Sequence, residues 1–310
     1  MMEKICVLKG GISGEREISL KSGEFVQKGL RRAGYEVFSI DTKERDFLGQ
    51  LIKERPDVVF IALHGPYGED GTIQGLMEMI GIPYTGSGVL ASALGMDKIY
   101  SKAIFASQGL SVPPFQIVKR GEGINLKISP PLIVKPPKLG STLGVSLVKD
   151  TSYLKEALNI AFQYDSSCAI LEEYIMGKEI TVGIIDDPQP CALPIIEILP
   201  RRNLYDYKAK YTKGFCEYTV PASLEKEEYL KAEEVALRAY QALGCRDFAR
   251  VDMIARKDAV FLLEVNTIPG MTEGSLLPRA AHAAGLTFPE LVDKIVKAAL
   301  KRREKLAHSS

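Results

Sequence analysis

Two apolar segments, ARVDMIA (249–255) and AVFLLEVN (259–266), carry side chains that a buried strand has no packing reason to hold: Asp252, Glu264 and Asn266. The short polar run between them, RKD, marks a hairpin. With its turn centred on Asp258, Asp252 stands opposite Glu264 and Arg250 opposite Asn266, all four on one side of the ribbon. The same alternation puts Leu262, Glu264 and Asn266 on one face, and Phe261, Leu263 and Val265 on the other. Like charges directly opposite on neighbouring strands destabilise a sheet, so a cation belongs between the two carboxylates. Two carboxylates and an amide carbonyl are hard donors that suit Mg²⁺, which completes its shell with water and substrate phosphates. A plainer reading competes: Arg250 alone neutralises the pair as a surface cluster.

A second constellation is PLIVKPPKLGSTLGVSLVK (131–149). A strand carries Lys135 into a loop of glycines and hydroxyls, and a second strand leaves it. A Walker A loop places its lysine after the glycines and feeds a helix, so this is a different device, a loop capping a hairpin. Backbone N–H groups in such a loop can cradle phosphate oxygens while lysine supplies a point charge. As structure alone it is a mobile hairpin. Further on, LEEYIMGKE (171–179) reads as a strand entering a turn, where backbone groups could meet an adenine edge and a carboxylate the ribose.

These residues need elements to hold them. KICVL, YEVFSI and DVVFIAL read as short buried strands, and EREISLKSGEFVQKGLRRAG as a helix stopped by Gly34. The alternation argues for a parallel sheet covered by helices, with functional loops at the strands' C-terminal ends. Two conspicuous ones are KGGISGE (9–15) and HGPYGEDG (64–71). The pattern changes near residue 94, where a helix precedes strands FQIVKR, PLIVKPP and VSLVKD, a helix near 151–164 and AILEEYI. It changes again near Glu179, with ITVGIID, CALPIIEIL, a polar aromatic stretch around 201–220, a helix (225–243), the hairpin and two terminal helices. The fold class is therefore α/β with an α+β remainder, divided at 1–93, 94–178 and 179–310.

Composition narrows the partners. The chain has 310 residues, 46% hydrophobic and 25% charged, room for two or three domains. Lys+Arg of 40 against Asp+Glu of 39 gives net +1, which offers no global field for nucleic acid or an anionic membrane. Five scattered cysteines without a CxxC pair fit reduced thiols rather than a disulfide framework or zinc site. With no secretory h-region and no stretch approaching a membrane span, the expected location is the cytoplasm.

Seven stretches, in order, are similar to the ATP-grasp superfamily and within it to the D-alanine–D-alanine ligase family. They are GGISGEREISL (10–20), ALHGPYGEDGTIQG (62–75), YTGSGVLASALGMDK (84–98), VKPPKLGSTLGVS (134–146), DYKAKY (206–211), ARVDM (249–253) and LEVNTIPGMTEGSLLP (263–278). The resemblance runs from Lys9 to about Pro289 and implies a three-domain ATP-grasp fold with a Rossmann-like N-terminal domain. It implies ATP held by Lys98, Lys135, Glu172, Glu173, Tyr174, Ile175, Glu179 and Lys210, and two Mg²⁺ (or Mn²⁺) on Asp252, Glu264 and Asn266. The implied reaction joins two D-alanines through an acyl phosphate, releasing ADP and phosphate, for peptidoglycan precursors. Glu15 would hold the first ammonium within a set that includes Ser141 and Tyr211. Arg250 would stabilise negative charge, and Gly270 would offer its N–H to the oxyanion. Ser275 and Leu276, opening a helix, would take the second carboxylate, and His64 would line the acceptor site. A packed turn histidine is the alternative for His64, and charge complementing a helix dipole for Glu15.

The rival acceptors are D-lactate and D-serine; Tyr211 argues for an amine acceptor, and so against D-lactate. A regulator that has lost catalysis is the rival from another class, against which the intact Lys135, Arg250, Asp252, Glu264 and Asn266 argue. The family implies a homodimer.

Overall fold

Strand β1 (Lys4–Lys9) runs parallel to both β2 (Glu36–Asp41) and β3 (Val58–Ile61), giving the order β2-β1-β3. The computed structural model describes residues 2–140, 142–200, 216–257 and 259–307. Both faces of this parallel sheet are covered, which is why β1 reads as a continuous apolar run rather than an alternating one. On one face lie Val26 and Leu30 of α1 (Arg16–Arg32), together with Val292, Ile295 and Val296 of the C-terminal helix 288–307. Gly29 permits that contact, since a Cβ there would stand 2.9 Å from the Phe288 ring. On the other face, Cys6, Leu8 and Ile61 meet Leu51 of α2 (Phe47–Glu54) and Met77 of α3 (Thr72–Ile80).

Helices α4 (Val89–Met96) and α5 (Lys98–Ser107) lead to a four-stranded antiparallel sheet of order β4-β7-β5-β6. Its strands are Phe115–Lys119 (β4), Leu132–Lys135 (β5), Ser146–Val148 (β6) and Cys168–Glu173 (β7), with α6 (Leu154–Ala161) packed over them. β5 and β6 form the hairpin expected around the glycine loop.

The largest sheet runs β11-β10-β8-β12-β13, with β9 pairing β8. Its strands are Lys178–Asp186 (β8), Pro190–Ala192 (β9), Ile196–Pro200 (β10), Cys216–Thr219 (β11), Phe248–Arg256 (β12) and Ala259–Asn266 (β13). Helix α7 (Lys226–Leu243), opened by a reciprocal Glu225–Glu228 capping box, buries Ala232, Ala236 and Ala239 against it. Helices α8 (Leu276–Ala283) and α9 (Phe288–Ala307) follow.

The β12–β13 pairing corrects one expectation. Arg250 opposes Asn266 and Asp252 opposes Glu264, as the arithmetic gave, but the register then shifts so that Met253 opposes Leu262. Leu263 is the extra residue of a β-bulge. The side chains therefore change parity along β13: Val260, Leu262 and Val265 enter the core under α7, whereas Leu263 and Glu264 face the opposite side. Leu262 and Glu264 do not share a face. The bulge lets an apolar strand keep its core contacts and still aim a carboxylate outward.

This parity has a direct consequence for stability. Leu262→Ala is expected to cost about 2–5 kcal/mol, whereas Leu263→Ala costs roughly 1 kcal/mol or less. Urea unfolding of the two variants measures the difference, and equal losses would contradict the bulge.

Candidate active site

The second and third sheets face each other across a cleft of about 350 Å³. Its apolar walls include Ile133, Ile175, Ile198, Leu199, Ile254 and Leu263, a surface suited to a flat aromatic ring. Lys98, Lys135, Glu172, Glu173, Tyr174, Ile175 and Glu179 line this same cleft, together with Asp252 and Glu264. Strands β5, β7, β8, β10, β12 and β13 converge there with the start of α5. The N–H groups of Glu173 and Tyr174 are given to the carbonyls of Pro114 (2.9 Å) and Pro131 (3.0 Å), which fixes the strand end at the cleft mouth.

At the end of the cleft that holds Lys98 the chemistry is ionic. Lys98 opens α5 behind its N-cap Asp97, whose side chain accepts from the Ile99 N–H at 3.0 Å. The Lys98 ammonium lies 3.0 Å from Glu264 Oε2 and donates to the Leu139 carbonyl at 2.9 Å, while its backbone N–H binds Pro137 O. The helix start thereby grips the glycine loop. Burial would push the Lys98 pKa down, but Glu264, with Glu172 and Glu69 beyond it, more than reverses this and raises it.

Asp252 is held by three neighbours. Arg250 donates Nε and Nη2 to its two oxygens at 2.9 Å each, Thr181 Oγ1 donates at 2.6 Å, and Asn266 Nδ2 donates at 3.0 Å. The two opposed carboxylates therefore have separate counter-charges, Arg250 for Asp252 and Lys98 for Glu264. Arg250 alone does not neutralise the pair. Asn266 joins Lys98, Glu264, Gly140 and Glu69 around a small cavity next to the cleft.

Beyond that cavity lies the loop side. Gly10 and Gly11 both sit at positive φ, 79° and 76°, and a side chain on Gly10 would collide with the Asp41 carboxylate. Asp41 accepts from Gly11 N–H (3.1 Å) and pairs with Arg16 (2.6 Å), which holds its carboxyl down at about 2. This clamp sets the entry to α1 and thus Glu15, which is buried. The position of a Cβ on Gly140 would be 3.6 Å from Glu15 Oε2, so Glu15 reaches the glycine loop. His64 Nδ1 faces Glu69 Oε1 at 3.5 Å, and its Nε2 lies 3.2 Å from Ser22 Oγ. Ser22 Oγ also accepts from the Met271 N–H at 3.3 Å. Gly270 approaches Ser275 so closely that a Cβ would stand 2.9 Å from Ser275 Oγ, which itself accepts from Thr272 N–H. Ser275 is the N-cap of α8, and the Leu276 side chain is in the core, so only its backbone can face a ligand.

Ser141, Lys210 and Tyr211 lie outside the described residues. Sequence reasoning missed Lys102, Glu69, Ser22 and Thr181. Glu69 was within reach, because it belongs to the HGPYGEDG loop already singled out. Lys102 and Ser22 sit on helical core faces, where nothing in spacing separates them from surface positions. Lys102 is fully buried with its ammonium 2.9 Å from Glu172 Oε1, while Lys135 takes Oε2 at 2.8 Å. Burial would raise the Glu172 pKa, but the two lysines lower it and keep it ionised. Burial, reinforced by Lys135 and Lys98 and only partly opposed by Glu172, pushes Lys102 down to about 8.

Family comparison covers most of the chain. The description "D-ala D-ala ligase N-terminus" matches residues 47–87 and "D-ala D-ala ligase C-terminus" residues 104–297. A D-alanine–D-alanine ligase of Syntrophotalea carbinolica is 48% identical over 302 residues, 97% of each chain. That of Desulforudis audaxviator is 45% identical over 307 residues, covering 97% of this chain and 100% of the relative. The crystal structure of the Bacillus anthracis D-alanine–D-alanine ligase complexed with ATP superposes with a TM-score of 0.85 at 35% identity, covering 98% and 99% of the two chains.

Removing the charge between two buried lysines is costly. Glu172→Gln is expected to lose about 3–5 kcal/mol of stability at neutral pH. Chemical denaturation checks this, and a loss below about 1 kcal/mol would mean the ionic triad is not a buried one.

Proposed function

The chain belongs to the D-alanine–D-alanine ligase family, and on that premise we propose how its residues carry the reaction. The activity is an ATP-dependent joining of two D-alanines into D-alanyl-D-alanine, a building step for the bacterial cell wall. Relatives bearing the D-alanine–D-alanine ligase name at 97% coverage do not favour a D-lactate or D-serine acceptor. The observation that carries the mechanistic reading is Glu264, which stands opposite Asp252 on the wall shared by the cleft and the small cavity.

A carboxylate is a poor electrophile, so the first step transfers the γ-phosphoryl of ATP to the carboxylate oxygen of one D-alanine, giving an acyl phosphate and ADP. The adenine lies among Ile133, Ile175, Ile254 and Leu263, with Glu173 to Ile175 at its edge and Glu179 near the ribose. Lys135 and Lys98 meet the phosphates, with Lys210 completing the set. Glu15 holds the ammonium of the first D-alanine beside the glycine loop, in company with Ser141 and Tyr211. The amine of the second D-alanine loses a proton and attacks the acyl carbon. The tetrahedral oxyanion is met by the Gly270 N–H and Arg250, and the C–O bond to phosphate then breaks. Backbone N–H groups at Ser275 and Leu276 take the second carboxylate, and His64 lines that pocket.

The donor set fits divalent metal. Asp252 and Glu264 bring two carboxylates to one place, and Asn266, whose Nδ2 faces Asp252, has a carbonyl as its other end. These three residues would hold Mg²⁺ or Mn²⁺, which when bound supplies charge neutralisation at the phosphate oxygens. The division into residues 1–93, 94–178 and 179–310, a homodimeric assembly and a cytoplasmic location complete this reading. Among the described residues no helix is long and apolar enough to cross a membrane.

The direct assay combines the protein with ATP, Mg²⁺ and D-alanine and follows the products. ADP, phosphate and dipeptide are expected in equal amounts; AMP with pyrophosphate would overturn the mechanism. Glu264→Gln keeps the shape but removes the charge, and is expected to lower kcat at least ~100-fold with little change in Tm. Near-normal turnover at modest Mg²⁺ would remove Glu264 from the site. Ser22→Ala, which frees the Met271 N–H and His64, is expected to cut kcat by roughly tenfold while ADP affinity holds. A loss of ADP affinity instead would assign Ser22 to the general packing.

A further inference from the structure

We propose that Lys102 is a positioning residue that compensates Glu172 from behind, so that the charge of Lys135 remains available to the phosphates of a bound nucleotide. Glu172 is 2% exposed and both its oxygens are taken, Oε1 by Lys102 at 2.9 Å and Oε2 by Lys135 at 2.8 Å. The two lysines differ in what they can reach. Lys102, at 0% exposure, comes from α5, with its ammonium 5.8 Å from the centroid of the Phe115 ring, and it does not line the cleft. Lys135 ends β5 and does line it.

The charges in this triad sum to +1. With Glu172 and Lys135 alone the sum would be zero, and the carboxylate 2.8 Å away would cancel the lysine that faces the phosphates. In a low-dielectric wall that cancellation is strong, because the attraction between two charges grows as the effective dielectric constant falls. Lys102 restores the positive sum without entering the cleft. The fixed carboxylate keeps its geometric use, since it fastens the Lys135 ammonium in one place. The groups facing Lys102 are Glu172 of β7, Lys135 of β5 and the Phe115 ring of β4, with Lys98 one helical turn away on its own helix.

This inference rests on the cleft being the nucleotide site, and the test separates the two. ADP and adenosine are titrated calorimetrically into the full-length protein and its variants. Wild type that binds neither ligand refutes the nucleotide reading and the inference with it. With wild-type binding established, Lys102→Met is expected to weaken ADP at least ~10-fold and adenosine less than ~3-fold, since only phosphate needs the freed charge. Equal losses for both ligands, or none for ADP, would overturn the proposal. The double variant Lys102→Met/Glu172→Gln removes charge and counter-charge together. It is expected to return the ratio of ADP to adenosine affinity to within ~3-fold of wild type, whatever Glu172 contributes to the nucleoside, and to be more stable than Glu172→Gln alone. A double variant whose ratio of ADP to adenosine affinity falls more than ~3-fold below wild type would assign the triad to geometry alone, and this arm decides the matter even if Lys102→Met does not fold.

Discussion

Asp252 and Glu264 oppose each other on adjacent strands, and much of the active-site wall is an answer to that repulsion. Arg250 and Lys98 reach in from different elements, one from β12 itself and the other from the start of α5. Each cation brings further structure: Arg250 shares Asp252 with Thr181 of β8, and Lys98 grips the glycine loop through Leu139 and Pro137. A pair of like charges thus links the large sheet, the helix and the glycine loop.

What keeps Glu264 out of the core is the bulge at Leu263, whereas Asp252 faces the cleft by the ordinary alternation of β12. A regular β13 would set Leu262 and Glu264 on one face, forcing either a leucine into the cleft or a glutamate under α7. The extra residue resolves the conflict locally. Elsewhere, single buried hydroxyls tie separate elements together. Ser22, from α1, touches His64 and the Met271 N–H and so joins the N-terminal sheet to the loop that follows β13. The shared core of α1, α9 and α8 fixes the frame in which such short contacts can hold their geometry.

Much of this could be read in the sequence because the chemistry and the periodicity coincide. The three N-terminal strands, the β5–β6 hairpin and the opposition of Asp252 and Glu264 follow from alternation and turn residues. A turn centred on Asp258 pairs Arg256 with Val260, whereas Arg256 opposes Ala259; the bulge at Leu263 offsets that one-residue difference and restores the pairing of Asp252 with Glu264. Parity of the leucines was therefore misread while the carboxylates were read correctly. Lys102 was beyond reach for a different reason. A lysine on a helix ordinarily belongs to a solvated face, and only the tertiary fold shows that this one lies under β7 against Glu172. Ser22 and Thr181 are ordinary residues by type, made functional by what folding sets beside them.

We propose that Asp252, Glu264 and the lysines of this cleft serve phosphoryl transfer to a carboxylate. Oxygen labelling tests it most directly. D-alanine carrying ¹⁸O in both carboxylate oxygens is turned over with ATP and Mg²⁺, and the released phosphate is examined by mass spectrometry. The account expects one ¹⁸O in each phosphate per dipeptide formed, because the carboxylate oxygen that was phosphorylated leaves with the phosphoryl group. Phosphate without label, or label appearing in AMP, would contradict it.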